Sequence, residues 1–309
     1  MDDNPLKAQR RRFLKILAGL ASSFALGPRL AWGASTLYKT IPSTGERLPA
    51  IGMGTWITFN ISDEALARTT LLPVLQAFFD RGGTLIDSSP MYGSSEEVVG
   101  NLLPLVKNNQ TLFAATKVWT LGKSRGEKQM EASRKLWQVK RFDLMQIHNM
   151  LDQDAHLETL KKWKNEGRIR YIGITTSHGR RHDAMEKVMM KEPLDFVQFT
   201  YNLVDREAEQ RLLPLAADRG IAVIINRPFQ GGALFGRVRN KPLPPWAAEI
   251  DCRNWAQFFL KFVVSHPAVT CAIPATSQVP HMLENMGAGL GPLPDAAMRR
   301  RMAQYFETL

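Results

Sequence analysis

A chain of 309 residues with 44% hydrophobic and 22% charged content is that of an ordinary globular protein, with material for one large core or two ordinary ones. The formal charge is +11, of which Lys7, Arg10, Arg11, Arg12, Lys15 and Arg29 against Asp2 and Asp3 carry +4, leaving +7 for the rest. That surplus favours anionic ligands weakly. Without zinc-finger spacing or an aromatic-interleaved basic strand it excludes nucleic acid as the partner, and two cysteines, Cys252 and Cys271, exclude a disulfide framework.

The first residues stand apart from the fold. Arg10-Arg11-Arg12-Phe13-Leu14-Lys15 precedes an uncharged, mostly apolar run from Ile16 to Pro28, too short to span a bilayer. A basic start, a short apolar middle and small residues after it describe a secretory signal. The paired arginines resemble the twin-arginine export signal, with Gln9 where that signal usually has Ser or Thr. Ala31-Trp32-Gly33 offers a small-x-small cleavage site. Residues 1–33 are therefore expected to be a signal read by the twin-arginine machinery, which makes the protein periplasmic, with no stable membrane span. The alternative is a basic amphipathic helix that stays attached to a cytoplasmic protein.

Tyr38 to Pro49, with Ser43-Thr44-Gly45-Glu46 as its turn, reads as a hairpin. Ile51 to Trp56 reads as a first barrel strand. Glu64 to Arg81 is helical by its apolar spacing and stops at Gly82-Gly83. A buried strand then ends at Asp87, and a helix runs from Glu96 to Val106. The alternation continues with strands at Leu112–Val118, Phe142–Ile147, Ile169–Thr175, Leu194–Phe199, Ile221–Ile225 and Val269–Ile273. Between and after them come helices at Gly126–Gln138, Ala155–Glu166, His182–Lys191, Arg206–Arg219, Asn254–Ser265, Val279–Met286 and Asp295–Phe306. A Gly- and Pro-rich stretch from Phe229 to Asp251 interrupts the pattern.

Eight strand–helix units of about thirty residues predict a (β/α)8 TIM barrel over residues 35–309, preceded by the β-hairpin. The strands are continuous apolar runs, as expected when both faces are covered. A doubly wound sheet would want a Gly-x-Gly-x-x-Gly opening near its first helix, and none is present.

In a barrel, successive strand tips converge on one face. That brings Asp87, Lys117 and His148 around one hole, with Tyr92 on the adjoining loop. Singly, each residue has a structural explanation; three consecutive strands presenting Asp, Lys and His at equivalent ends do not. A free phenol, with a pKa near 10, is a poor proton donor at neutral pH, and a nearby ammonium lowers that value. Lys117 can supply the ammonium, Asp87 can hold it, and His148 can orient a carbonyl oxygen or assist proton delivery. The set suits protonation of a carbonyl oxygen as hydride reaches its carbon. None of the four is a hydride source, so a nicotinamide cofactor is implied.

With these residues in place the sequence resembles the aldo-keto reductase superfamily from about Tyr38 to Asn285. The motifs are Gly52-Met53-Gly54-Thr55-Trp56, Ile86-Asp87-Ser88-Ser89-Pro90-Met91-Tyr92-Gly93, Ala115-Thr116-Lys117, Asp143 to His148, Tyr171 to Ile174, Gln198 with Tyr201-Asn202, and Ile273-Pro274 through Glu284-Asn285. The resemblance implies an NAD(P)H-dependent oxidoreductase acting on an aldehyde, ketone or alcohol, with Tyr92 as proton donor and Asp87, Lys117 and His148 completing its tetrad. It implies a cofactor touching Gly54, Thr55, Trp56 and Asp87, then Thr175, Thr176 and Gln198. Beyond these it would reach Arg227, Pro228 and Phe229, and the last loop and helix through Thr276, Ser277, His281, Glu284 and Asn285. A cofactor-binding regulatory subunit, which some family members are, is the alternative.

Two departures bear on the cofactor. Thr175-Thr176 stand where the family often has Ser-Asn, and hydroxyls reach an amide less far. Ala275 and His281 stand where the family commonly reads the adenosine 2′-phosphate with Lys or Arg. Arg227, or Arg237, Arg239 and Lys241, can provide fixed charge instead. NADP(H) is expected ahead of NAD(H). No metal is expected, since His178 and His182, four apart, flank Gly179-Arg180-Arg181, which reads as a surface turn.

Overall fold

The computed structural model describes residues 36–309. The expected signal over residues 1–33 and its cleavage site lie outside the described residues, as does Ser35. Strands β1 (Tyr38–Thr40) and β2 (Arg47–Pro49) form the antiparallel hairpin. Eight parallel strands follow: β3 (Met53–Gly54), β4 (Leu85–Asp87), β5 (Phe113–Val118), β6 (Phe142–Ile147), β7 (Ile169–Thr175), β8 (Phe196–Thr200), β9 (Ala222–Asn226) and β10 (Cys271–Ala272). They pair in sequence order. Parallel bridges Ile51↔Ala272 and Gly54↔Ala275 join the last strand to the first and close the ring. This is the (β/α)8 barrel that the alternating pattern predicts.

Helices cover the outside: α1 (Glu64–Asp80), α2 (Ser95–Leu102), α3 (Lys123–Leu136), α4 (Gln153–Asn165), α5 (His182–Lys191), α6 (Leu212–Asp218), α7 (Ala233–Arg237), α8 (Trp255–Val264), α9 (Val279–Gly287) and α10 (Ala296–Glu307). Several begin on a side-chain cap. Asp63 accepts the Leu66 N–H at 2.9 Å, Asn254 that of Gln257 at 2.9 Å, and Asp295 that of Met298 at 2.7 Å.

Three elements differ from expectation for local reasons. The helix expected from Glu96 to Val106 ends at Leu102, and a single 3-10 turn, Leu103–Leu105, holds Pro104, which has no N–H to continue the ladder. The helix expected from Arg206 to Arg219 divides into a 3-10 turn, Glu207–Glu209, and α6, so that Pro214 falls in a first turn. The stretch from Phe229 to Asp251, expected to be irregular, contains α7 and a 3-10 segment, Pro245–Ile250. Cys252 and Cys271 are separate buried thiols. Among the described residues no helix is long and apolar enough to cross a membrane.

The barrel interior is a packed core of Leu85, Phe113, Leu144, Tyr171, Phe196 and Ile224, and the hairpin adds Ile41 and Leu48 to it. A polar clamp holds the hairpin over the ends where the strands begin. The Tyr171 hydroxyl donates to Glu46 Oε2 at 2.6 Å, and Arg170 bridges Glu46 and Asp143. One end of the barrel is thus plugged. The carboxyl ends of the strands are left to form a site.

Candidate active site

Register sets the site. Asp87 pairs with Gly54 on one side and Ala115 on the other, and Lys117 pairs with Gln146. Asp87 is 1% exposed and Lys117 0%. Lys117 Nζ donates to Asp87 Oδ2 at 2.5 Å and to the Ser88 carbonyl at 2.7 Å. The other carboxylate oxygen, Oδ1, accepts from Gln146 Nε2 at 2.8 Å and Gln198 Nε2 at 3.1 Å. The buried pair therefore has the extra hydrogen bonds that offset desolvation. Burial works to lower the Lys117 pKa, but Asp87 and the Tyr92 phenol outweigh it and hold the ammonium above its ordinary value.

Tyr92 sits over this charge, with Lys117 Nζ 5.0 Å from its ring centroid. Its ring is half-buried and its hydroxyl is the deep end. Burial raises the phenol's pKa above 10, while Lys117 pulls it back. The lowering expected from Lys117 is thus present but outweighed, because desolvation of the phenolate is the larger effect. His148 follows β6 in a short turn and meets Tyr92 edge-on, ring centroids 5.7 Å apart. Burial, and then Lys117, push the imidazole down to about 3, so it is neutral at physiological pH.

Asp87, Tyr92 and His148 border a cavity of about 370 Å³ that opens at the strands' carboxyl ends, and Lys117 is buried behind them. Its floor and one wall are Gly54, Thr55, Trp56 and Asp87. Gly54 is required there, since a Cβ would lie 2.9 Å from the Ile273 carbonyl across the closing seam. A polar stretch follows: Thr175, Thr176, Gln198 and Asn226. Gln198 is held by Asp87, by Gln146 Oε1 at 3.1 Å and by Asn226 Nδ2 at 3.3 Å. The far end holds Arg227, Pro228 and Phe229, then the left-handed turn Gly231-Gly232. The rim is apolar: Trp56 is 41% exposed and Met91 40%, and the Trp119 ring stands 6.4 Å from His148.

The expected cofactor residues divide in two. Gly54, Thr55, Trp56, Asp87, Thr175, Thr176, Gln198, Arg227, Pro228 and Phe229 border the cavity, whose lining ends at Ala275. Thr276, Ser277, His281, Glu284 and Asn285, on the last loop and α9, do not line it. Of the alternative cations, Arg227 is at the cavity, whereas Arg237 is tied to the C-terminal helix through the Phe306 carbonyl and Lys241 to the Leu309 carbonyl just after it. The donor set suits a nicotinamide dinucleotide, with hydroxyls and amides for a carboxamide and a cation with free backbone turns for a diphosphate. His178 is in the turn before α5 and His182 begins it, its Nδ1 3.5 Å from Glu207. Among the described residues no cluster of His, Cys, Asp or Glu could hold a metal.

Sequence reasoning missed Gln146, Asn149, Asn226 and Ser89. Gln146 alone carried a signal, as an amide inside an apolar strand. Asn149, in the left-handed region at φ 53°, borders the cavity beside His148.

Residues 50–303 match the Aldo/keto reductase family. The chain is 30% identical over 216 residues to "Aldo-keto reductase YhdN" of Bacillus subtilis (strain 168), a match covering 65% of this chain and 64% of that protein, under two thirds of its length. It is 27% identical over 253 residues to "Methylglyoxal reductase YeaE" of Escherichia coli (strain K12), covering 80% of this chain and 88% of the relative. In structure it is similar to an aldo/keto reductase from Klebsiella pneumoniae solved with NADP and acetate, with a TM-score of 0.70 at 24% identity over 85% of this chain and 93% of that one.

Proposed function

This chain belongs to the aldo/keto reductase family, and from that premise we propose that it is an oxidoreductase that moves a hydride between NADP(H) and a small aldehyde, ketone or alcohol. The observation that carries the reading is the buried Lys117–Asp87 pair directly beneath the Tyr92 phenol and beside a neutral His148. Tyr92 is the proton donor to the substrate oxygen. Its raised pKa keeps it protonated as turnover begins, and the Lys117 charge stabilises the phenolate once the proton has left. Asp87 fixes Lys117, and His148 hydrogen-bonds the same substrate oxygen. Trp56, Met91 and Trp119 shelter the reacting carbon from water.

The cofactor assignment is supported by the donors along the cavity and by the NADP in the printed name of the Klebsiella structure. Thr175, Thr176 and Gln198 would hold the carboxamide, and Arg227 with Gly231 and Gly232 the diphosphate. Thr276, Ser277 and His281 would meet the adenosine end. The methylglyoxal reductase among its relatives makes small ketoaldehydes the first substrates to try. Replacing Tyr92 with Phe removes the proton and little else. We expect reduction to slow roughly 10²–10⁴-fold with NADPH affinity nearly unchanged, measured by steady-state kinetics and fluorescence titration. Undiminished turnover would remove Tyr92 from the role.

Export by the twin-arginine machinery to the periplasm is proposed from Arg10-Arg11-Arg12-Phe13-Leu14-Lys15 and the apolar run after it. Fractionation with N-terminal sequencing is expected to find a periplasmic protein beginning near Ala34. A chain recovered from the cytoplasm with residues 1–33 still attached would overturn it.

A further inference from the structure

We propose that Ser89 is a positioning residue that fixes which nitrogen of His148 carries the proton, so that the imidazole presents an Nε2–H donor to the substrate oxygen. This deepens the reductase reading and rests on it for its consequence, though not for its test. Ser89 is fully buried two residues past Asp87, in the turn that leads to Tyr92. Its Oγ lies 2.8 Å from His148 Nδ1 and accepts the Met91 N–H at 3.2 Å. Its backbone carbonyl accepts the Tyr92 N–H at 2.9 Å. One residue therefore touches both the phenol's backbone and the imidazole.

The proton's location follows from counting donors and acceptors. A serine hydroxyl has one proton to give, and a buried one must find an acceptor. Among the described residues, His148 Nδ1 is the acceptor within hydrogen-bond reach of Ser89 Oγ. If Nδ1 carried the ring proton, it would donate to Oγ, which already accepts from Met91, and the hydroxyl proton would be stranded in the interior. With Nδ1 as acceptor the Ser89 hydroxyl, Nδ1 and the Met91 N–H are all satisfied, and the single proton of the neutral ring sits on Nε2, free to meet a substrate. The groups around the ring do not reverse this. Lys117 is a cation paired to Asp87, Tyr92 meets the ring by its edge at 5.7 Å, and Trp119 is tilted against it at 6.4 Å. An Nε2 lone pair would repel a carbonyl oxygen, whereas Nε2–H attracts it more strongly as negative charge develops there. In the Ser-His-Asp triads a third group likewise selects the tautomer.

The test is nitrogen NMR of the ligand-free 15N-labelled protein at neutral pH, with the His148 signals assigned by their loss in His148→Gln. We expect a pyridine-type Nδ1 and a pyrrole-type Nε2. Ser89→Ala should shift these toward a mixture of tautomers and lower kcat about tenfold with KM for NADPH unchanged, while Ser89→Thr, which keeps the hydroxyl, should restore both. A pyrrole-type Nδ1 in the wild type overturns the proposal, as does Ser89→Ala with unaltered ring signals or unaltered kcat. If the added methyl of Ser89→Thr lowers the melting temperature, the wild-type and Ser89→Ala spectra decide. If the wild type turns over no carbonyl, the reductase reading fails, and the wild-type ring signals still say which nitrogen of His148 carries the proton.

Discussion

Lys117 illustrates how much a single buried charge depends on its partner. Fully buried, the ammonium rests on Asp87 Oδ2 and the Ser88 carbonyl. Replacing Lys117 with Met leaves a buried carboxylate, and we expect a loss of roughly 3–5 kcal/mol in urea unfolding together with loss of activity. The double change Lys117→Met with Asp87→Asn should recover most of the stability and none of the activity. A single variant as stable as the wild type would show that the pair contributes nothing net. Asp87, Lys117 and His148 were legible in the sequence because each stands at the end of an apolar run, where its type is out of place. Ser89 was not. A serine in a Ser-Ser-Pro turn has an ordinary local explanation, and its partner lies 59 residues away.

At the level of elements, helix contacts fix where the strand tips fall. Gly100 in α2 lies against the end of α3, and a Cβ there would sit 1.8 Å from the Leu136 carbonyl. Gly167, after α4, has φ +72° and nothing within 4 Å of an added Cβ. Gly167→Ala is therefore expected to cost about 1 kcal/mol of backbone strain. Gly100→Ala forces backbone apart and should cost about 3 kcal/mol or more by the same denaturation measurement. Equal losses would mean that the α2–α3 approach is not what holds α2 in place. The order of helices and strands was readable from apolar spacing and Gly stops, but the breaks before Pro104 and at Gln210-Arg211 were read through because periodicity continues across them. The placement of α9, whose His281 and Glu284 do not line the cavity, depends on packing against α1 and α8 that no local pattern records.

For the whole molecule, buried histidines tie stability to pH. Burial, aided by Lys117, holds His148 at about 3, and burial, aided by Arg299, holds His266 at about 4, both below the ordinary 6.5. As pH falls below 6.5 the unfolded chain takes up protons at these sites before the native state does, so stability is full above 6.5 and declines toward the folded values. The melting temperature should therefore fall between about pH 6.5 and 4. His266→Asn, which preserves an acceptor for the Ala268 N–H, should flatten that decline. An equally steep decline in the variant would show that His266 does not contribute to it. Because His148 stays neutral throughout, the rate of carbonyl reduction should show no histidine inflection between about pH 5 and 8.

The ring is closed by backbone bonds from Gly52 to Ala272, from Ala272 to Ala50 and from Gly54 to Pro274. These partners are roughly 220 residues apart in the chain, a separation that makes such contacts slow to form. A ribosome will have finished Asp87, Tyr92, Lys117 and His148 long before the segment that completes the circle emerges from its tunnel. Translation halted before Ala272 would yield every residue of the tetrad and no enclosure to hold them.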